Sequence, residues 1–206
     1  TGSQVLNLVT FVVIQFAMGI TVLIARYLGE KKPQQIGAVV GGASIVFTLI
    51  SAVLFVVMVF FARPIAILMQ APEAAVDQTA SYIRICGGGI FFIVAYNLLS
   101  SIFRGLGDSQ SPLLFVLVAC IVNVIGDLAL VAGLHMDAAG AAIATTIGNV
   151  MASAYYLWYF VKKSPNFSIL PKDFSLENRL AATICSCGLP TAIFSMLMSL
   201  STIILN

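Results

Sequence analysis

Long apolar stretches alternate with short polar connections along the whole chain. Each apolar stretch is long enough for a helix that crosses a lipid bilayer, which needs about 20 residues. Backbone groups in hydrocarbon must find hydrogen-bond partners within the segment, so helices are predicted rather than strands. The predicted spans are residues 4–25, 36–62, 75–103, 112–133, 138–161 and 182–206.

Composition points in the same direction. The chain is 60% hydrophobic and 9% charged, with a mean hydropathy of +1.06, which leaves too little polar surface to cover a water-soluble core. The predicted fold class is therefore an all-α integral membrane protein, a polytopic helical bundle with about six spans. A net charge of +2 without a basic tract excludes nucleic acid as a partner. The cysteines lie in apolar segments and are interpreted as small hydrophobic residues, and no cofactor is expected.

The basic residues give the orientation of the spans. The first, third and fifth connections hold eight of the ten Lys and Arg residues, whereas the second and fourth hold only Arg63. The positive-inside rule places the basic connections in the cytoplasm. The predicted location is a plasma membrane, most simply a bacterial inner membrane. The eight residues are Arg26, Lys31, Lys32, Arg104, Lys162, Lys163, Lys172 and Arg179.

Small residues predict how the helices meet. The fifth span carries Gly140, Ala144 and Gly148 at intervals of four, and the second span carries Gly37 and Gly41. Such spacing lets helix backbones approach closely in lipid, so a tight bundle is predicted. Three consecutive glycines also interrupt the third span, in the stretch CGGGI. They are compatible with a bend, with close passage of another group, or with simple packing.

One acid lies inside an apolar run. Asp127 occurs in the stretch IVNVIGDLALV, six residues before Gly133, or about 9 Å from the outer end of its span. Asn123 lies one turn deeper on the same helical face. Thr145 on the next span and Tyr82 on the third span fall at a similar depth. The orientation therefore predicts a polar layer near the outer surface.

The chemistry of this layer suits a cation or a proton. An acid within a bilayer is costly, roughly 2.5 to 3.5 kcal/mol at the centre of a span, and is expected to face a polar cavity. Burial raises the pKa of a carboxyl group and a bound cation lowers it, so H⁺ and Na⁺ can compete at Asp127. The alternative is a structural ion pair with Arg84. For Asn123, Thr145 and Tyr82, ordinary hydrogen bonding between helices is the competing interpretation.

The connection RGLGDSQSP between the third and fourth spans has the composition of a sharp turn. Gly105 and Gly107 permit a reversal of the chain, and Pro112 suits the first turn of the next helix. Arg104 and Asp108 are expected to fasten this turn rather than to contact a substrate.

These motifs together resemble a known family. The stretch SIFRGLGDSQSP resembles the R-G-x-G-D-x-x-x-P connection of the multidrug and toxic compound extrusion (MATE) transporters. ARYLGEKKPQQIG, YIRI and AGAAIATTIGN resemble the same family at matching places, so the resemblance covers essentially the whole chain.

The resemblance implies twelve helices in two lobes that alternate access to a central cavity. Residues 1–162 would form the amino-terminal lobe from its second helix onward, residues 163–181 the connection between lobes, and residues 182–206 the start of the second lobe. Helix one of the amino-terminal lobe and most of the second lobe would be the missing partners.

In one branch of the family a cation site combines an Asp and an Asn on helix five, a Thr on helix six, a Tyr on helix four and an Asp on helix one. The first four match Asp127, Asn123, Thr145 and Tyr82, and the helix-one Asp has no counterpart in this sequence. The expected function is a secondary active transporter that exports organic, often cationic, small molecules in exchange for H⁺ or Na⁺. The alternatives are a flippase for lipid-linked precursors and a structural membrane subunit. No catalytic motif of an intramembrane enzyme occurs in the spans.

Overall fold

The computed structural model of the chain describes residues 2–133, 136–163, 182–183, 186, 190, 193–194 and 197. Over these residues the chain is helical, with short turns and no strand, as predicted for an all-α membrane bundle. The elements are α1 (Gly2–Gly29), α2 (Pro33–Phe60), α3 (Ala62–Leu68), a 3₁₀ turn (Glu73–Ala75), α4 (Val76–Gly88), α5 (Ile90–Gly105), α6 (Gln110–Asp127), a π-helix (Leu128–Gly133) and α7 (Asp137–Lys163).

Three of these helical segments are long and apolar enough to cross a membrane by themselves, and α4 with α5 makes a fourth if the pair is taken as one span. Helix α7 has 27 residues, or about 40 Å, but is not among them because small and polar residues interrupt its apolar character. Most of the predicted sixth span, and nearly all of the predicted connection 163–181, lie outside the described residues. The three segments are Ser3–Gly29, Pro33–Phe60 and Gln110–Gly133.

The predicted third span, 75–103, is two helices rather than one. Helix α4 ends at Gly88, α5 begins at Ile90, and their axes differ in direction by 54°. Gly89 between them has φ −89° and ψ 2°, a conformation open to other residues. Glycine is needed here for a steric reason, since a Cβ at this position would lie 2.5 Å from Cγ2 of Thr146.

The core lies where α1 packs between α2 and α5. Its largest fully buried side chains include Ile20, Ile24, Ile36 and Phe47. A second cluster of Leu99, Phe103, Phe115 and Tyr156 joins α5, α6 and α7 near the turn between α5 and α6. Helix α6 lies at the edge of the bundle, where it contacts mainly α7. The rest of its apolar surface is exposed, as a lipid-facing helix requires.

The second connection contains structure that the hydrophobic pattern did not predict. Helix α3 follows α2 after a single residue, and its Arg63 lies 3.9 Å from the carboxylate of Asp77 at the start of α4. Both side chains are largely exposed, so this ion pair contributes little to stability. It lies on the predicted outer side of the bundle.

Candidate functional site

Asp127 and Asn123 lie on one face of α6, which turns toward α7. The amide of Asn123 lies 3.0 Å from the Thr145 hydroxyl oxygen. In one of the two orientations of the Asn123 amide, both the nitrogen and the oxygen have hydrogen-bond partners. Nδ2 then donates to Oδ2 of Asp127 at 3.3 Å, and Oδ1 accepts from the hydroxyl of Thr145 at 3.0 Å and from the backbone N–H of Thr145 at 3.1 Å. Asn123 thus connects the carboxylate of Asp127 to α7.

The other carboxylate oxygen of Asp127 has no partner within the described protein. Oδ1 is buried and makes no hydrogen bond. Arg84, the proposed partner in a structural ion pair, forms no salt bridge among the described residues, and its residue is exposed. A buried carboxylate oxygen without a donor is unfavourable by about 1 to 3 kcal/mol or more. This oxygen is therefore the place where a proton or a cation would be stabilised.

Tyr82 on α4 completes the group. The Tyr82 side chain is partly buried, and its hydroxyl lies near the Thr145 hydroxyl, the Cys86 thiol and the carboxylate of Asp127. The Thr145 hydroxyl thus lies near both Asn123 and Tyr82, and its oxygen is also 2.9 Å from the backbone oxygen of Ala141. Its single proton can be donated to only one acceptor at a time. The four residues predicted for the polar layer come together from α4, α6 and α7.

Small residues make this arrangement possible. A Cβ on Gly126 would lie 2.8 Å from Cβ of Ala144, and one on Gly148 would lie 3.1 Å from the backbone oxygen of Ala119. Helices α6 and α7 therefore approach so closely that a side chain at Gly126 would force a shift and one at Gly148 would be crowded. Because Asn123 and Thr145 are short side chains, they can hydrogen bond directly only across such a close contact.

A shallow cavity of about 300 Å³ opens beside the site. Asn123 and Thr145 form part of its wall, together with Tyr96 and Asn149, which sequence reasoning missed. Asn149 donates to the backbone oxygen of Thr145 at 2.9 Å. The spacing of four residues from Thr145 was the available signal for Asn149, whereas nothing in the sequence distinguished Tyr96. The other lining residues are Val116, Ala119, Cys120 and Gly148.

The cysteines of the described chain lie at this end of the molecule. Cys86 is buried next to Tyr82, while Cys120 is exposed in the wall of the cavity, and both are free thiols. Cys120 is exposed because α6 lies at the edge of the bundle, and the interpretation of the cysteines as small hydrophobic residues stays a prediction. Cys185 and Cys187 lie outside the described residues.

The turn after α5 lies at the opposite end of the bundle from Asp127. Gly107 has φ +85°, and a Cβ on Gly105 would meet Ile24 at 2.8 Å. Asp108 accepts hydrogen bonds from the backbone N–H of Ser111 at 3.0 Å and from its hydroxyl at 2.7 Å. The carboxylate of Asp108 thereby satisfies the first turn of α6.

The two remaining residues of the motif are also placed at this turn. Arg104 lies in the last turn of α5, and its Nε is buried without a hydrogen-bond partner. Pro112 is buried in the first turn of α6, where its lack of an N–H is tolerated.

Sequence comparison shows which known proteins this chain is similar to. A family model described as MatE matches residues 1–128. The chain is 28% identical over 192 residues to the multidrug export protein MepA of Staphylococcus saprophyticus, covering 93% of the chain and 42% of that protein. It is 32% identical over 133 residues to the probable multidrug resistance protein YpnP of Bacillus subtilis, covering 64% and 29%.

Solved structures extend the similarity to the three-dimensional fold. A multidrug resistance MATE family transporter of the MOP superfamily in an inward-facing conformation is 25% identical, with a TM-score of 0.85 over 91% of this chain and 43% of that one. An outward-facing conformation gives a TM-score of 0.90 over 98% and 45%, also at 25% identity. The chain thus spans less than half the length of the proteins it matches.

Proposed function

Because this chain belongs to the MatE family, we propose that it forms one lobe of a two-lobe membrane transporter that exports small organic compounds, often cations, in exchange for H⁺ or Na⁺. The relatives named as multidrug export and resistance proteins favour this activity over a flippase for lipid-linked precursors. The proposed location is the plasma membrane of a bacterium.

The observation that carries the proposal is the state of Asp127. One oxygen of its carboxylate is buried without a donor, and the other lies beside the neutral amide of Asn123. A single negative charge among neutral oxygens from amide and hydroxyl groups suits a proton or a monovalent cation, both of which would bind at the unpartnered oxygen. Protonation removes the charge that attracts the cation, so the two ligands exclude each other.

The same group offers a route from ion binding to substrate release. Asn123 contacts Asp127 on one side and Thr145 on the other, and both Asn123 and Thr145 form part of the wall of the 300 Å³ cavity. A change in the charge of Asp127 would therefore alter the amide and hydroxyl groups presented to a compound in this cavity. In this proposal the second lobe encloses the open side, because the cavity itself is at the small end of the range for ligand pockets.

The test is transport by the full-length polypeptide in reconstituted vesicles with an imposed proton or sodium gradient. Asp127→Asn preserves the shape of the side chain and removes its titratable charge, so gradient-driven efflux of a fluorescent organic cation should fall at least tenfold. Asp77→Asn is the matched control, because Asp77 is exposed on the predicted outer side and should leave efflux unchanged. The amount of folded protein is measured in parallel.

Two results would contradict the proposal. Wild-type efflux from Asp127→Asn at equal abundance would remove the coupling role. A collapse of folded protein that Arg84→Gln restores would favour a structural ion pair instead, although Arg84 is exposed in the structure.

A further inference from the structure

The bent helix formed by α4 and α5 contacts α7 at three successive places. On the α4 side, the Tyr82 side chain lies near the hydroxyl of Thr145. At the bend, Gly89 packs against Thr146. On the α5 side, the hydroxyl of Ser153 donates to the backbone oxygen of Phe92 at 2.9 Å. Helix α7 therefore braces both arms of the bend.

The middle contact is the closest. An added Cβ on Gly89 would lie 2.5 Å from Cγ2 and 3.1 Å from Oγ1 of Thr146. The Thr146 hydroxyl is held by the backbone oxygen of Ala142 at 2.8 Å, which fixes the rotamer and keeps the methyl group against Gly89. Gly88, one residue earlier, has nothing within 4 Å of such a Cβ. The close approach is thus specific to Gly89.

The bend decides whether Tyr82 can reach the ion site. Tyr82 lies seven residues before Gly89, or about 10 Å along the helix. Rotating this arm by the observed 54° about Gly89, with α5 and α7 fixed, would displace Tyr82 by ~9 Å. A straight helix would therefore leave Thr145 with Asn123 alone, because no side chain could span that distance to its hydroxyl.

We propose that Gly89 and Thr146 form a positioning contact that keeps α4 and α5 bent and holds Tyr82 near the Thr145 hydroxyl. The contact would thereby couple ion occupancy at Asp127 to the shape of this helix. The inference rests on the proposed ion-coupling function of Asp127. Ion binding would stabilise the bent form, since only that form supplies Tyr82 to the site. Release of the ion would free α4 to move at Gly89. Thr146 is a positioning residue in this scheme, because it acts through Tyr82 and not on the ion.

The bend can be measured by electron–electron double resonance in the full-length polypeptide. Spin labels at Gln78 and Ser109, both exposed, report the two ends of the bent pair, with the native cysteines replaced by serine. Straightening by 54° would lengthen the distance between these ends by about 4 Å. The probes are Na⁺, compared with N-methylglucamine at equal ionic strength, and protons, compared between pH 8 and pH 5.

Wild-type protein should show a shorter and narrower distance distribution with one of these ions. Gly89→Ala should abolish this response and weaken the affinity for the ion at least tenfold, because its methyl group displaces Thr146. Gly89→Ala with Thr146→Ala should restore both properties, since the new methyl group occupies the space vacated by threonine. The matched control is Gly88→Ala, which adds the same methyl group in open space and should behave as wild type.

Each contrary result has a distinct meaning. A distance that responds to neither ion, or a wild-type response in Gly89→Ala, would overturn the positioning contact while leaving ion binding at Asp127 intact. Ion binding that survives Asp127→Asn unchanged would overturn the proposed function and this inference with it. If Gly89→Ala fails to fold, Thr146→Ser provides the test, because it removes only the methyl group. In Thr146→Ser the distribution of distances between the spin labels should broaden and the affinity for the ion should fall. Wild-type values of both would contradict the proposal.

Discussion

Asp108 should stabilise the fold and have no direct part in substrate binding. Its carboxylate accepts two hydrogen bonds from Ser111, at 3.0 Å from the backbone nitrogen and 2.7 Å from the hydroxyl. It also places a negative charge at the amino-terminal end of α6, where the helix dipole favours it. Both effects support the turn between α5 and α6, and neither requires a ligand.

The geometry gives the size of the effect. Asp108→Asn can still accept a hydrogen bond from the Ser111 N–H but loses the charge, so the free energy of unfolding should fall by about 1 kcal/mol. Asp108→Ala loses both acceptors and should cost about 2 kcal/mol. The neighbouring variant Ser109→Ala provides a matched control, since the Ser109 side chain makes no cap hydrogen bond with α6.

The assay is equilibrium unfolding of the full-length polypeptide in mixed micelles, with substrate affinity measured on the fraction that remains folded. We expect Ser109→Ala to be the most stable of the three variants, Asp108→Asn to be less stable and Asp108→Ala to be the least stable. Substrate affinity should be unchanged in all three. Unchanged stability together with lost substrate binding in Asp108→Asn would refute the structural role and place Asp108 in the transport site.

Three further predictions concern topology, packing and charge. Cysteine introduced at Lys32 should react only with reagents added from the cytoplasmic side and cysteine at Ala74 only from outside, and reversed labelling would overturn the depth argument for Asp127. Gly105→Ala should lower the unfolding free energy by about 2 to 3 kcal/mol because its Cβ meets Ile24 at 2.8 Å and the backbone oxygen of Thr21 at 3.0 Å, whereas Gly107→Ala, which faces open space at φ +85°, should cost about 1 to 2 kcal/mol; equal losses would contradict the packing argument. Hydrogen bonds from Lys32 and then Arg26 lower the pKa of Glu30 below its ordinary value of 4.5, so its contribution to stability is present above that pH and is lost as the pH falls through the lowered value. Unfolding of wild type and Glu30→Gln between pH 3 and pH 7 should show a difference that disappears at the acid end, and a difference that grows there would be inconsistent with the ion pair.

The sequence was sufficient to predict the membrane bundle and to select the candidate residues of the polar layer. Hydrophobic run lengths gave the helices, and the distribution of Lys and Arg gave a depth at which Asp127, Asn123, Thr145 and Tyr82 could meet. Charge is strongly disfavoured in lipid, so the few polar positions in the spans are expected to face each other. The structure brings Asn123 next to Asp127 and Thr145, and the role of these residues in binding an ion stays a prediction.

The bend and the edge of the cavity could not be predicted in the same way. Three consecutive glycines allow several structures, and only the position of Thr146 on another helix selects a bend at Gly89. The π-helix that follows Asp127 likewise has no signal in an apolar run, since Leu128–Gly133 would suit an α-helix equally well. Tyr96 reaches the cavity wall because of how α5 is rotated, which depends on packing against α1 and α7.

The small residues and the acid belong to one structural arrangement. Asp127 is unfavourable in a membrane, and its only described hydrogen-bond partner is Asn123, so the fold gains little stability from it directly. Gly126 and Gly148 give up side-chain packing to bring α6 against α7, and that approach is what lets Asn123 reach Thr145. Gly89 does the same for the bent helix, which brings Tyr82 to the same hydroxyl. A Cβ at these three glycines would meet Ala144, Ala119 and Thr146, and two of these residues are direct sequence neighbours of Thr145. The proposed binding and release of an ion at Asp127 gives a reason for such close packing around this threonine.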